Sequence, residues 1–265
     1  LSIITSKAQT TRHRIMGIVN GEHFQIVYSD TPGMLDPKYK LHEGMMKFVG
    51  SAFADADILI FVTEPSETVE SQARAIEKIN TLEVPVIVLL NKIDLAPQEE
   101  IEEKLLYWQQ HIPRAKVAPI SALHKFNVAE LLDYIIQVLP VSPPFFPKDE
   151  LTDKPMRFFV SEIIREKILV RYKQEIPYSC EVLVTEYKEE PNIVRIRTEI
   201  MVNRESQKSI MIGHQGKALK SVGTEARKDL ESFIGKKVFL EIYVKVDKNW
   251  RNDPGKLKKY GYFSD

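Results

Sequence analysis

Apolar positions along the chain fall into short runs separated by polar, turn-rich stretches, and the period of each run predicts an element. Residues 1–4 read as extended, and residues 5–14 are polar and basic with no hydrophobic period, hence a loop. Two segments, 15–19 and 24–28, joined at Asn20-Gly21, predict a β-hairpin. Asp-Ile-Leu-Ile-Phe-Val-Thr at 57–63 predicts a buried strand, followed by a helix over 66–81 and another strand over 84–90. Pro97 starts a helix running to about His111, with Glu99, Glu100, Glu102 and Glu103 at the amino end, where the helix dipole favours them. A short strand at 116–120 and an amphipathic helix at 127–139, stopped by Pro140, complete this half. Strands alternating with helices imply an α/β domain with a mostly parallel sheet.

From Pro140 to Pro155 the pattern breaks into Pro-Val-Ser-Pro-Pro-Phe-Phe-Pro and charged residues. Proline there blocks both helix and strand and stiffens a spacer. Beyond it a helix is predicted over 156–172, with Phe159, Ile163 and Val170 on or near one face, then strands over 180–187 and 193–202. A helical segment leads into Gly213-His214-Gln215-Gly216-Lys217, a second helix runs to about Phe233, and an alternating strand covers 238–246. The expected organisation is a domain over 1–140, a Pro-rich linker over 141–155 and a second, smaller α+β domain over 156–265.

Three short motifs lead from fold class to chemistry. Asp30-Thr31-Pro32-Gly33-Met34, Asn91-Lys92-Ile93-Asp94 and Ser121-Ala122-Leu123 each follow a strand-like run. That is the carboxyl edge of a parallel sheet, where ligands bind. An Asp at a strand end, here Asp30, can hold a magnesium-bound water, and Gly33 lets its backbone N–H approach a γ-phosphate. A carboxylate such as Asp94 accepts two hydrogen bonds only from adjacent ring N–H and exocyclic amino donors, which guanine has and adenine lacks. The backbone N–H of Ala122 can add a bond to the guanine carbonyl. Asp-x-x-Gly or Ser-Ala alone is a commonplace turn; the order of all three points to GTP.

The phosphate-cradling Gly-x-x-x-x-Gly-Lys-Ser/Thr loop does not occur, and no Gly-Lys-Ser or Gly-Lys-Thr is found in the sequence. The expectation is that the chain starts after this loop, that the first strand of the nucleotide domain is missing with it, and that these residues alone bind GTP poorly.

The second half makes a different prediction. Its order α-β-β-α-(Gly-x-x-Gly)-α-β is that of a K-homology (KH) module, in which the glycine turn meets the backbone of about four single-stranded nucleotides. A Gly-x-x-Gly turn is by itself more often a helix C-cap. Between Ser206 and Lys228, however, Lys208, Lys217, Lys220, Arg227 and Lys228 face Glu225 alone. Charge agrees: residues 1–150 carry 14 Lys/Arg against 20 Asp/Glu, whereas residues 151–265 carry 23 against 17. A net +6 on the second half suits a polyanion. The single cysteine, Cys180, excludes a disulfide framework and fits a reducing compartment. The apolar runs are far shorter than a membrane span. The histidines lack ligand spacing, and Trp108 and Trp250 are expected to be packing residues.

With these residues in hand, the chain resembles the Era family, bacterial ribosome-assembly GTPases with a C-terminal KH domain, over essentially all 265 residues. Besides the motifs above, the resemblance rests on Lys7-Ala-Gln-Thr-Thr-Arg-His13, Ser161-Glu-Ile-Ile-Arg-Glu-Lys167, Pro177-Tyr178-Ser179 and Val244-Lys245-Val246 before Trp250. It implies a P-loop GTPase-type sheet, truncated at its start, plus a type II KH domain. It also implies GTP or GDP and Mg2+ as ligands. Thr11 becomes the switch residue that ligates magnesium together with Asp30, with Thr10 as the fallback, and Gly33 joins Thr11 in catalysis. RNA contact is assigned to Gly213, His214, Gln215, Gly216, Lys217, Lys220 and Arg227. The partners implied are the 3′ region of 16S ribosomal RNA and the small ribosomal subunit, whose maturation such proteins serve. A monomer in the cytoplasm with some peripheral membrane association is expected. Two positions depart from common patterns: His214-Gln215 replaces the basic residue frequent in such turns, and Met34 replaces the Gln that orients water in Ras-like enzymes. Slow intrinsic hydrolysis follows, raised by RNA, the ribosome or a cation that orders residues 5–14. The alternative for these residues alone is a non-catalytic KH fragment with a silent nucleotide domain. A double-GTPase assembly factor is disfavoured by the single guanine motif set.

Overall fold

The computed structural model describes residues 2–5, 7 and 9–263. Leu1, Ser6 and Ala8, which belong to the expected extended start and the loop over 5–14, lie outside them. The packing divides the chain into two compact units, Leu1–Gly17, Val27–Val49 and Leu151–Asp265 in one, Ile18–Ile26 and Gly50–Glu150 in the other. Strands β1 (Ile15–Asn20) and β2 (Gln25–Asp30) form a two-stranded sheet. The expected hairpin forms, with Asn20 as the last residue of β1 and Gly21 at no positive φ. The connection over 21–24 is closed by the Gly21 N–H on the Phe24 carbonyl at 2.9 Å.

In the second unit, β3 (Leu59–Thr63), β4 (Val86–Leu90) and β5 (Lys116–Pro119) form a parallel sheet in that order. Strand β4 is apolar throughout and buried throughout, as a central parallel strand must be. Strand β3 departs from expectation: it starts at Leu59 rather than 57, and Val62 is 53% exposed. Among the described residues β3 pairs with β4 only, so one of its edges is open. The helix expected over 66–81 is a 3-10 turn (Glu70–Gln72) and a shorter α2 (Ala73–Asn80). Helices α3 (Gln98–His111) and α4 (Val128–Val138) stand within a residue or so of expectation, with Pro97 as the N-cap of α3. Ile76, Ile79, Val88, Leu90, Ile112 and the fully buried Trp108 form this unit's core.

In the first unit, α5 (Met156–Arg171), α6 (Glu205–Ile212) and α7 (Lys217–Ile234) pack with a sheet of β6 (Cys180–Glu189), β7 (Ile193–Val202) and β8 (Lys237–Val246). The order is β6-β7-β8, antiparallel then parallel, a mixed α+β sheet. Alternate residues of β7 (Val194, Ile196, Ile200, Val202) meet Ile164 and Ile168 of α5 and Val222, Ala226 and Leu230 of α7 in one core.

Two α-helices among the described residues have no counterpart in the sequence reading. Helix α1 (Lys40–Asp55) follows the Asp30 motif and buries Leu41 and Met45 with Trp250, Leu257, Tyr260 and Tyr262. Helix α8 (Pro254–Lys259) is capped by the Asp253 carboxylate, which accepts from the Gly255 and Lys256 N–H groups. Among the described residues no helix is long and apolar enough to cross a membrane.

Candidate functional site

The carboxyl ends of β3, β4 and β5 lie side by side, so the residues that leave them share one edge. Asn91 follows β4, and its Oδ1 accepts from the Lys92 N–H at 2.8 Å and from the Ala122 N–H at 3.0 Å. One amide oxygen thereby ties two motifs that stand 31 residues apart. Lys92 adopts a left-handed conformation (φ 60°, ψ 35°), which costs a non-glycine residue roughly 1 kcal/mol, and turns the chain into the Ile93–Leu95 3-10 turn. That turn brings the Asp94 carboxylate to the buried Ser121, whose hydroxyl donates to Asp94 Oδ1 at 2.6 Å. The Ser121 bond holds the Asp94 carboxyl below its usual range, so it stands ionised as an acceptor. His124 Nε2 lies 4.0 Å from the other oxygen, Oδ2. Ser121 is itself pinned by paired backbone bonds with Phe126, at 3.0 and 3.3 Å. Leu123 is 80% exposed beside it.

Sequence reading missed Glu64, the first residue past β3. It pairs with the Lys92 ammonium, and that bond, with one from Ser66, lowers the Glu64 carboxyl. A glutamate at the end of a parallel strand was the signal available, since the same edge rule that selects Asn91 selects it.

Asp30 and Thr11 belong to the other unit. Asp30 ends β2, and Thr11 follows the irregular stretch at 9–10. The Thr11 hydroxyl points at Asp30 Oδ2, 3.4 Å away. The Thr10 hydroxyl instead donates to the Lys7 carbonyl at 2.7 Å, turned back into its own loop. A hydroxyl and a carboxylate are the hard oxygen donors that magnesium takes. Thr31, Pro32, Gly33 and Met34 continue from Asp30 without regular structure, Gly33 and Met34 exposed and Pro32 buried. Among the described residues no group of three or more His, Cys, Asp or Glu is arranged to hold a metal ion.

The Gly-x-x-Gly turn joins α6 to α7. Gly213 (φ 71°, ψ 178°) ends α6, its N–H closing on the Ser209 carbonyl at 2.9 Å, and Gly216 (φ 74°, ψ 5°) opens α7. A Cβ at Gly213 would stand 2.6 Å from the Ala218 Cβ, so the position requires glycine twice over. Gln215 between them is also left-handed (φ 51°, ψ 31°), and His214 and Gln215 are exposed. Lys217, Lys220, Thr224 and Arg227 recur at helical spacing on the face of α7 opposite the buried Val222, Ala226 and Leu230. Lys217, Lys220 and Arg227 are exposed and have no ion-pair partner among the described residues. The acid of this stretch, Glu225, is occupied by Ser221 (2.9 Å) and Arg171 (3.9 Å).

Comparison with known proteins agrees with both halves. Residues 2–141 match the elongation factor Tu GTP binding domain family, and residues 175–251 match the KH domain family. A curated protein of Oryza sativa subsp. japonica, "GTPase ERA-like, chloroplastic", is 45% identical over 267 residues, which cover 99% of this chain and 63% of that protein. The chain spans a little under two thirds of the length of the curated relatives it matches. Among solved structures, Era in complex with MgGDPNP and nucleotides 1506–1542 of 16S ribosomal RNA superposes with a TM-score of 0.94 at 36% identity, covering 99% of this chain and 90% of that one. A variant of Aquifex aeolicus Era bound to GDP·AlF4− gives a TM-score of 0.95 at 36% identity, covering 100% and 91%.

Proposed function

The chain belongs to the Era family of GTPases with a C-terminal KH domain, and from that premise we propose that its protein binds and hydrolyses GTP and binds ribosomal RNA in the maturation of the small ribosomal subunit. The observation that carries the reading is the Asn91–Ala122 and Asp94–Ser121 lock, which presents an ionised carboxylate at a strand-end loop. Asp94 selects guanine, with Asn91 beside it fixed by the Ala122 N–H, the group expected from the sequence to reach the guanine carbonyl. Asp30 and Thr11 hold magnesium, which neutralises phosphate charge when bound. Gly33 offers its N–H to the γ-phosphate, and Lys92, Ile93, Ser121 and Leu123 shape the base site. Met34 has no group to orient water, so the basal rate is low. The Gly213–Gly216 turn and the Lys217, Lys220 and Arg227 stripe hold a single-stranded segment of 16S RNA, in keeping with the RNA-bound relative. The compartment proposed is a cytoplasm with some peripheral membrane contact, and the oligomeric state a monomer; the plant relatives carry "chloroplastic" in their names.

The test is a titration of fluorescent GTP into protein expressed from its complete gene, with and without magnesium, competed by unlabelled GDP and ATP. Magnesium-dependent binding displaced by GDP but not by ATP supports the reading. A folded, monodisperse sample that binds RNA but no nucleotide favours the non-catalytic KH alternative.

A further inference from the structure

The loop that carries Thr11 is anchored on both sides by buried arginines. On one side the Thr10 carbonyl accepts from Arg165 Nη2 at 2.6 Å, and Arg165, 1% exposed, is held by both oxygens of Glu162 at 2.6 and 2.7 Å. On the other side Arg12, 3% exposed, donates to the Cys180 carbonyl (2.7 Å), the Pro177 carbonyl (3.0 Å) and Glu181 Oε2 (3.2 Å). The Tyr262 hydroxyl donates to the same Glu181 oxygen at 2.7 Å, and the Tyr262 ring stacks on His13, 4.4 Å between centroids. Between these anchors the Thr11 hydroxyl faces Asp30.

Stability alone is a poor account of this network. Buried ion pairs lose solvation that their attraction barely restores. Arg165 Nη1 is in addition a buried donor with no hydrogen-bond acceptor among the described residues, an unfavourable state for a guanidinium. The network does, however, fix the main chain immediately before and after one residue. We infer that Arg12 and Arg165, through Glu181, Tyr262 and Glu162, are positioning residues that set the Thr11 hydroxyl toward Asp30 before nucleotide binds. The inference rests on the proposed switch role of Thr11. It makes residues of α5, of the start of β6 and of the C-terminal segment determinants of GTP recognition, although their part is to hold the loop and not to touch the ligand.

The experiment uses protein from the complete gene and two readouts. Hydrogen exchange of the amides at 9–14, measured without nucleotide, reports the loop itself. The ratio of affinities for a non-hydrolysable GTP analogue with magnesium and for GDP reports the switch. Tyr262→Phe removes one hydroxyl and Arg165→Lys keeps the charge while losing the fork, so both spare the fold. Each is expected to speed loop exchange roughly tenfold and to weaken analogue binding by a similar factor, with GDP affinity and core exchange in β7 unchanged. Thr11→Ala is expected to weaken analogue binding alone, and adding Tyr262→Phe to it to cost nothing further. If Thr11→Ala changes the ratio but Tyr262→Phe and Arg165→Lys leave loop exchange and ratio at wild-type values, the positioning role is overturned and the switch role stands. If Thr11→Ala leaves the ratio unchanged, the switch role fails and the positioning role falls with it.

Discussion

In the proposed function, base selection rests on one side chain, Asp94. Its carboxylate is oriented by Ser121 and kept ionised, an acceptor matched to two adjacent donors. Replacing it by Asn keeps the size but offers an amide donor in place of one oxygen. Asp94→Asn is therefore expected to weaken GTP binding by roughly 100-fold or more and to improve binding of xanthosine triphosphate, whose C2 carbonyl welcomes a donor. Competition binding with both nucleotides measures this. Met34→Gln supplies the missing water-orienting group; a basal hydrolysis rate that rises by orders of magnitude would show that no other residue already does this work. His13 makes a prediction about pH. Burial between Tyr262, Phe158 and Phe48 pushes its imidazole down to about 4, with Glu162 pulling it up and Arg165, Lys154 and Arg12 pushing it further down. The unfolded chain binds this proton near pH 6.5, so folding stability is full above that pH and falls toward pH 4, by on the order of 2–3 kcal/mol. Urea unfolding of wild type and His13→Gln across pH 4–7 isolates that share of the slope. At this scale the sequence was legible where two contiguous motifs meet in the fold, as 91–94 and 121–123 do. It was silent on Arg12 and Glu181, whose partnership spans 169 residues and has no local pattern.

Among elements, the turn between α6 and α7 tolerates little change. Gly213→Ala must keep a left-handed φ and clear Ala218, so a loss of about 1–3 kcal/mol in stability is expected, with weaker binding of single-stranded RNA. Chemical denaturation and filter binding read the two effects separately. Strand β4 was legible as an unbroken apolar run, and α4 and α7 because their apolar residues repeat at one period over the whole helix. Helix α1 was not: Gly44 and Gly50 interrupt it, and its buried residues include His42. The Gly44 site lies 3.1 Å, measured from an added Cβ, from the Tyr262 carbonyl, so glycine is there for a close approach and not as a breaker. Helix α8, Pro-Gly-Lys-Leu-Lys-Lys, has one buried apolar residue and depends on the Asp253 cap. Such a short helix is stabilised by packing and capping, which no periodicity announces.

For the molecule as a whole, charge is divided unevenly, with +6 on residues 151–265 against −6 before them. If the basic stripe on α7 meets RNA phosphates, binding is salt-dependent, and Lys217→Ala and Lys220→Ala each lower the slope of log affinity against log salt by about 0.7. Loss of affinity without a change of slope would point away from phosphate contact. The two compact units also differ from a simple split by chain order, since residues 1–17 and 27–49 pack with 151–265. The sequence contains two tryptophans, and each unit buries one completely: Trp108 in the core of α3 and β4, Trp250 against α1 and α8. Each indole is thus an optical reporter of a separate core. In Trp108→Phe protein, fluorescence during denaturation follows the unit that contains Trp250 alone, and in Trp250→Phe protein the unit that contains Trp108 alone. Coincident transitions would identify one cooperative molecule, and two separated transitions would identify units that melt independently.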